Sequence, residues 1–179
     1  MFQNRTAKGL FVFSQLLVVT FFATQAASTI AAEHYVCSEH RFTLTIPDGW
    51  VQADTSKMEA DFAVYVPDDE FQENVTILAT EISVEAKEAF YDPNFPLFVQ
   101  KNLKELLPNA TMDRPKRTTI DGKSAWKLSA WWEAEGECHR INHWLVVHKH
   151  RLYAITWASK STRTSPTQVT EMIKSIRLL

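Results

Sequence analysis

The run from Leu10 to Ala23 is almost wholly apolar, follows a segment charged by Arg5 and Lys8, and leads into the small residues Ala26 and Ala27. A positive start, a short apolar centre and a small-residue exit are the three parts of a secretory signal peptide, so residues 1–26 are expected to direct export and then be removed. Thr24 and Ala26 suit the positions before the cut, and the Ala31–Ala32 pair allows one a few residues later. The apolar run is shorter than the roughly 20 residues of a comfortable membrane helix, and no second run of that length follows. No integral membrane span is therefore expected in the mature chain. Cys37 is preceded by His34, Tyr35 and Val36, not by the small and aliphatic residues of lipid attachment, so no lipid anchor is expected. Residues 27–179 are then expected to form a single exported domain, periplasmic or extracellular.

That remainder can close a core. Hydrophobic residues make up 45% of the 179-residue chain and charged residues 22%. This balance excludes disorder, collagen and coiled coil. The four glycines, Gly9, Gly49, Gly122 and Gly136, are too scattered to build the phosphate cradle of a P-loop or a dinucleotide fold. Of 19 basic residues, Arg5 and Lys8 leave with the leader, so 17 face 21 acidic ones for a net of −4. Nucleic-acid binding needs the opposite sign, and no nucleic-acid partner is expected.

Two cysteines survive, Cys37 and Cys138. Export to an oxidising compartment makes a disulfide between them the first expectation. Closing so long a loop is worth about 4 to 5 kcal/mol on the chain-entropy model. Two independent buried thiols, each a small hydrophobe, are the alternative.

Period-two patterning marks the strands. Phe42, Leu44 and Ile46 alternate with Thr43 and Thr45 before the turn Pro47-Asp48-Gly49. Phe62 to Val66 and Val75 to Ile82 read as a hairpin across the acidic stretch Pro67 to Glu70. Ser83 caps a short helix to Phe90; Asn94 and Pro96 open a second with Val99, Leu103, Leu106 and Leu107 on one stripe, closed by Pro108. From Thr111 to Ser159 an antiparallel meander is expected, broken at Asp121-Gly122, Glu135-Gly136 and His148 to Arg151. Ser165, Pro166 and Gln168 fit a capping box, opening a terminal helix that buries Val169, Met172, Ile173 and Ile176. Strands segregated from helices predict an α+β fold, a central antiparallel sheet flanked by helices.

The stretch Phe42-Thr43-Leu44-Thr45-Ile46-Pro47-Asp48-Gly49-Trp50 resembles the opening strand and turn of the PsbP-like family. The mid-chain helix, then Thr119-Ile120-Asp121-Gly122-Lys123-Ser124-Ala125, then long paired strands and a final helix ending Ile173-Lys174-Ser175-Ile176, are similar to the rest of it, over roughly Tyr35 to Leu179. The resemblance implies an α/β/α sandwich in proteins that mostly bind or scaffold other molecules, among them an extrinsic photosystem subunit, a regulator of the Ran GTPase and many secreted bacterial proteins. It supplies no catalytic motif to carry over and no cofactor. The tryptophan-rich second half and the Cys37 and Cys138 pair depart from it and weaken any photosynthetic reading.

Candidate chemistry is sparse. His148 and His150, two apart on a strand, would share a face about 7 Å apart and could chelate a metal, though a third ligand is missing; a solvated basic hairpin tip is the plainer reading. Glu133, Glu135 and Glu137 would line one extended face, but Gly136 points to a turn. No glycine-flanked nucleophilic serine exists. Five of six tryptophans, Trp126, Trp131, Trp132, Trp144 and Trp157, fall in the meander. If Trp126, Leu128, Ala130 and Trp132 face the helix-covered core, then Trp131 shares the other face with Ala125, Lys127, Ser129 and Glu133. An indole there is either covered by a second layer or is a contact for a ligand or partner.

Two functions stay open. The favoured one is a non-catalytic binding or accessory module of the cell envelope, acting on a protein partner or a small apolar ligand through Trp131 and its neighbours. The other is a hydrolase or metal-dependent enzyme assembled from scattered His, Glu and Ser residues.

Overall fold

The computed structural model describes residues 32–67, 73–134, 136–160 and 166–179. The signal-peptide segment, Glu135 and Ser165 lie outside the described residues. Eleven strands and three helices follow in the order β1 (Glu33–Cys37), β2 (Phe42–Ile46), β3 (Val51–Gln52), β4 (Phe62–Tyr65), β5 (Asn74–Glu81), α1 (Val84–Tyr91), α2 (Phe95–Leu106), β6 (Thr111–Met112), β7 (Lys116–Ile120), β8 (Lys123–Ala134), β9 (Glu137–His148), β10 (Arg151–Lys160), α3 (Pro166–Ser175) and β11 (Arg177–Leu178).

The large sheet runs β3-β4-β5-β10-β9-β8-β6, with β7 also paired to β8, and every pairing in it is antiparallel. The expected meander is its centre: β7, β8, β9 and β10 are successive neighbours. Its turns fall where the sequence carries turn chemistry, with Gly122 at φ +69° and Gly136 at φ +76°. Those left-handed angles cost glycine nothing and other residues a good deal.

Alternation along these strands gives the sheet two apolar faces. Trp126 and Leu128 of β8, Leu145 and Val147 of β9 and Leu152 and Ala154 of β10 lie under Phe90 of α1 and Phe95, Val99 and Leu103 of α2. The Ser83 hydroxyl caps α1 by accepting from the Ala86 N–H at 3.2 Å. Leu106, expected on the buried stripe of α2, is exposed, because the helix ends there as it leaves the sheet.

The opposite face carries Ala125, Trp144, Val146, Tyr153 and Ile155, together with Val75 and Ile77 of β5. Its cover is α3, through Val169, Met172 and Ile173, and a second, three-stranded antiparallel sheet in the order β1-β2-β11. Phe42, Leu44 and Ile46 of β2 are buried there as the alternation predicts. Phe42 meets Tyr153 edge-on at 6.4 Å between centroids and Phe62 at 6.1 Å. Each such fully buried side chain contributes about 1.5 to 3 kcal/mol by leaving water. The fold is thus the expected α+β arrangement about a central antiparallel sheet, with the small sheet as an additional element of one layer.

The Pro47-Asp48-Gly49-Trp50 turn closes with the Trp50 N–H donating to the Pro47 carbonyl at 3.2 Å, and Gly49 takes the φ of +83° that its third position demands. It delivers Trp50, only 2% exposed, against α3, where the indole N–H donates to Gln168 Oε1 at 3.2 Å. Gln168 Nε2 donates in turn to the Asp48 carbonyl at 3.4 Å. The Gln168 side chain therefore serves the β2–β3 turn; the capping box expected with Ser165 lies outside the described residues.

Candidate functional site

Exposure rises steadily along one face of β8. Ala125 is buried beneath the small sheet and α3, Lys127 and Ser129 are half-buried, and Trp131 and Glu133 are exposed. The cover ends before the strand does. Trp131, at 40% exposure, is the one tryptophan of six in the exposed class; Trp50, Trp126, Trp144 and Trp157 are buried and Trp132 is half-buried.

The buried indoles are anchored. Trp126 donates to the Phe90 carbonyl at 3.2 Å and carries the Arg117 guanidinium over its ring at 3.6 Å. Trp157 donates to Glu73 Oε1 at 2.9 Å, and the Lys127 ammonium stands over Trp144 at 5.1 Å. Trp132, on the other face, stacks on His139 with 5.3 Å between rings.

Trp131 stands opposite Arg140 of β9 and Thr111 of β6, both exposed. The surroundings are of mixed charge. Burial, with the like charges of Lys116 and Arg140, lowers the pKa of Lys127 on the same face against the opposing charge of Asp113, and Glu133 is exposed next along that face. An exposed indole in a polar frame can anchor an apolar group.

His148 and His150 do not share a strand face. β9 ends at His148, and Lys149 and His150 form the turn to Arg151, so the two-apart chelating geometry of an extended strand does not apply. The basic hairpin tip is what the structure shows. Both imidazoles border a recess of about 400 Å³ that also takes in Arg41 of the β1–β2 turn, Glu81, Lys149 and Arg151. Among the described residues, no three His, Cys, Asp or Glu side chains gather in a group that could hold a metal ion.

Glu133 and Glu137 fall on different strands, and Glu137 pairs with Lys160. His143 is buried between strands with Nδ1 2.8 Å from Thr156 Oγ1; burial lowers its pKa to about 4, so it is neutral at pH 7 and sealed from any substrate. A second imidazole pair escapes sequence reading: His40 Nε2 lies 3.2 Å from Asp61 Oδ1, and Asp61 Oδ2 accepts from the Ala79 N–H. That carboxylate is held by the sheet edge and fixes the β1–β2 turn. Only tertiary packing brings these residues together, so no spacing in the chain announces them.

The expected bridge between Cys37 and Cys138 is not formed; both thiols are free. The topology gives the reason. Cys37 lies in the small sheet near Tyr153, whose hydroxyl donates to the His40 carbonyl at 3.1 Å. Cys138 follows Glu137 at the far end of β9, beside His139, the partner of Lys160 on β10. Tyr153 and Lys160 are seven residues apart on one strand, about 23 Å, against the roughly 7 Å limit on Cα separation in a disulfide.

No family model matches the sequence, and no curated protein matches it. Solved structures do. The fold is similar to that of cyanobacterial PsbP (CyanoP) from Synechocystis sp. PCC 6803, at 12% identity, covering 90% of this chain and 99% of that one with a TM-score of 0.65. It is similar to LpqN, involved in cell envelope biogenesis of Mycobacterium tuberculosis, at 13% identity, covering 83% and 90% with a TM-score of 0.59. A protein of Bacteroides thetaiotaomicron is similar at 14% identity, covering 84% of this chain and 49% of that one, with a TM-score of 0.57. The likeness shows a PsbP-like fold.

Proposed function

We propose that this protein is a non-catalytic accessory module of the cell envelope that binds a protein partner or a small apolar ligand through the exposed end of β8, with Trp131 as the anchor. The observation that carries this reading is the exposure of Trp131 where every other tryptophan is at least half-buried. The exposed part of the indole gains nothing from folding, and covering it would bring a rigid apolar area at small entropic cost. Lys127, Arg140 and Glu133 on the same side give it a polar, charged rim. The structural likeness to LpqN, described as acting in cell envelope biogenesis, supports an envelope setting, and the apolar leader supports export.

The test is a photo-crosslinking amino acid at position 131, with exposed Lys57 as the control site, in cells expressing the full chain. Discrete adducts at 131 in the envelope fraction and none at 57 support the reading. Equal labelling at both sites, or turnover of a substrate by the purified protein, overturns it.

A further inference from the structure

The end of the sheet opposite Trp131 carries a feature that partner binding at β8 does not use. Two turns distant in sequence converge there. The β9–β10 turn brings His148, Lys149, His150 and Arg151, and the β1–β2 turn brings Arg41; together with Glu81 these line the recess of about 400 Å³. The walls are tied to one another: Arg151 Nη1 donates to the Glu39 carbonyl at 2.8 Å, the Ile82 N–H donates to the His150 carbonyl at 2.8 Å, and the Leu179 N–H donates to the Arg41 carbonyl at 2.9 Å. Two backbone links and one arginine side chain therefore hold the walls of the cavity together.

Its rim is rich in basic side chains. Arg41, His148, Lys149, His150 and Arg151 line it together with Glu81, Tyr153 and Leu179, and Glu81 is engaged by Arg151 Nη2 at 3.1 Å. Arg41, Lys149 and His150 are exposed. Burial, and then the charges of Lys123 and Lys149, lowers the pKa of His148, as a site short of negative charge should.

The backbone adds an independent mark. Arg41 and Lys149 are two of three non-glycine residues in the left-handed region among the described residues, at φ +57° and +54°. Lys149 occupies the first position of a two-residue hairpin turn, where a left-handed angle favours glycine. At both turns folding alone would prefer glycine or asparagine, and a cation stands instead, aimed at the same recess.

We propose that this recess is a binding site for a phosphate-type oxyanion, borne by a small phosphate ester or by a lipid headgroup. The Arg41 guanidinium presents paired N–H donors matched to phosphate oxygens, the Lys149 ammonium adds charge from the other wall, and the two imidazoles offer N–H donors. The volume exceeds that of one inorganic phosphate and leaves room for the group that the phosphate is esterified to.

The experiment titrates the full chain with inorganic phosphate at pH 7, at constant ionic strength held with chloride, following backbone amide shifts by NMR. Saturable shifts confined to residues 39–41, 81–82 and 148–151 are expected. The double variant Arg41→Asn, Lys149→Asn keeps residues that tolerate the left-handed angle and removes both charges. It should melt no lower than the parent and bind phosphate at least tenfold more weakly. Absence of saturable shifts in the parent, or unchanged affinity in the variant, overturns the site. Glycerol 3-phosphate and phosphatidylcholine vesicles with or without phosphatidic acid then separate the sources. Saturable binding of the ester that phosphate displaces assigns a soluble ligand, and vesicle binding that phosphate displaces assigns a headgroup. Vesicle binding that phosphate does not displace is general surface attraction and counts against the site.

Discussion

The indole N–H of Trp50 donates to Gln168 Oε1 across 118 positions of sequence, at 3.2 Å, and locks the β2–β3 turn onto α3. The tryptophan of the Pro47-Asp48-Gly49-Trp50 turn is thus the link between the passage from the small sheet to the large one and the terminal helix. Trp50→Phe retains the ring and loses the donor, and should cost about 0.5 to 1.5 kcal/mol. Trp50→Ala also empties the space beneath α3 and should cost about 3 to 5 kcal/mol. Urea midpoints of the two variants check the order; a near-neutral Trp50→Ala would mean that α3 is not held there.

The thiols provide a second expectation. Alkylation of the exported protein, denatured without reductant, should add two labels per chain, since Cys37 lies by Tyr153 and Cys138 by the far end of β10 at Lys160, positions about 23 Å apart along that strand. In the native state Cys138, half-buried, should react before buried Cys37. A mass two units below the reduced form, with no label taken up, would show that the two ends of the sheet can meet.

Much of this architecture is legible in the chain because its signals are local. Alternation announces β2, β4, β5 and the meander; Ser83 and Pro96 announce α1 and α2. β1 and β11 are not legible. β1 turns only Tyr35 and Cys37 to the core, too few to make a pattern, and β11 is two residues long, with a partner, β2, at the other end of the described chain. Gln168 shows a role that no local spacing announces: its amide meets the Trp50 indole and the Asp48 carbonyl, 118 and 120 positions away. Parity places Trp131 correctly on the face of Lys127 and Ser129, whereas the recess at Arg41 depends on two turns that no spacing connects.

His143 makes stability depend on pH. Burial lowers its pKa from 6.5 to about 4 in the folded protein, so between those values the unfolded chain binds the extra proton and the folded chain does not. Its contribution is complete above about pH 6.5 and is lost as pH falls towards 4, about 3 kcal/mol in all. His143→Gln offers Thr156 an amide in place of the imidazole and should flatten the fall between pH 7 and 4.5 relative to the parent. Denaturation midpoints at the two pH values provide the measurement, and an equal fall in both proteins would place the sensitivity in other groups.

Trp131 and Trp157 occupy the same face of the sheet and should respond oppositely to truncation. Trp157 is buried, and its N–H donates to Glu73, itself buried; Trp157→Ala opens a cavity and removes that hydrogen bond, and should cost about 3 to 5 kcal/mol. Trp131 is 40% exposed and beyond the cover of α3, so Trp131→Ala should cost only about 1 to 2 kcal/mol, the share of the ring that rests on its neighbours. If the residue is an anchor, the same variant should lose partner capture or ligand binding more than tenfold while remaining folded at 37 °C. Arg140→Ala, opposite it on β9, should weaken binding less and chiefly at low salt, because an exposed charge steers an encounter more than it holds a complex. A loss of stability for Trp131→Ala as large as that for Trp157→Ala, with binding retained, would make the indole a piece of the core and leave β8 without a contact surface.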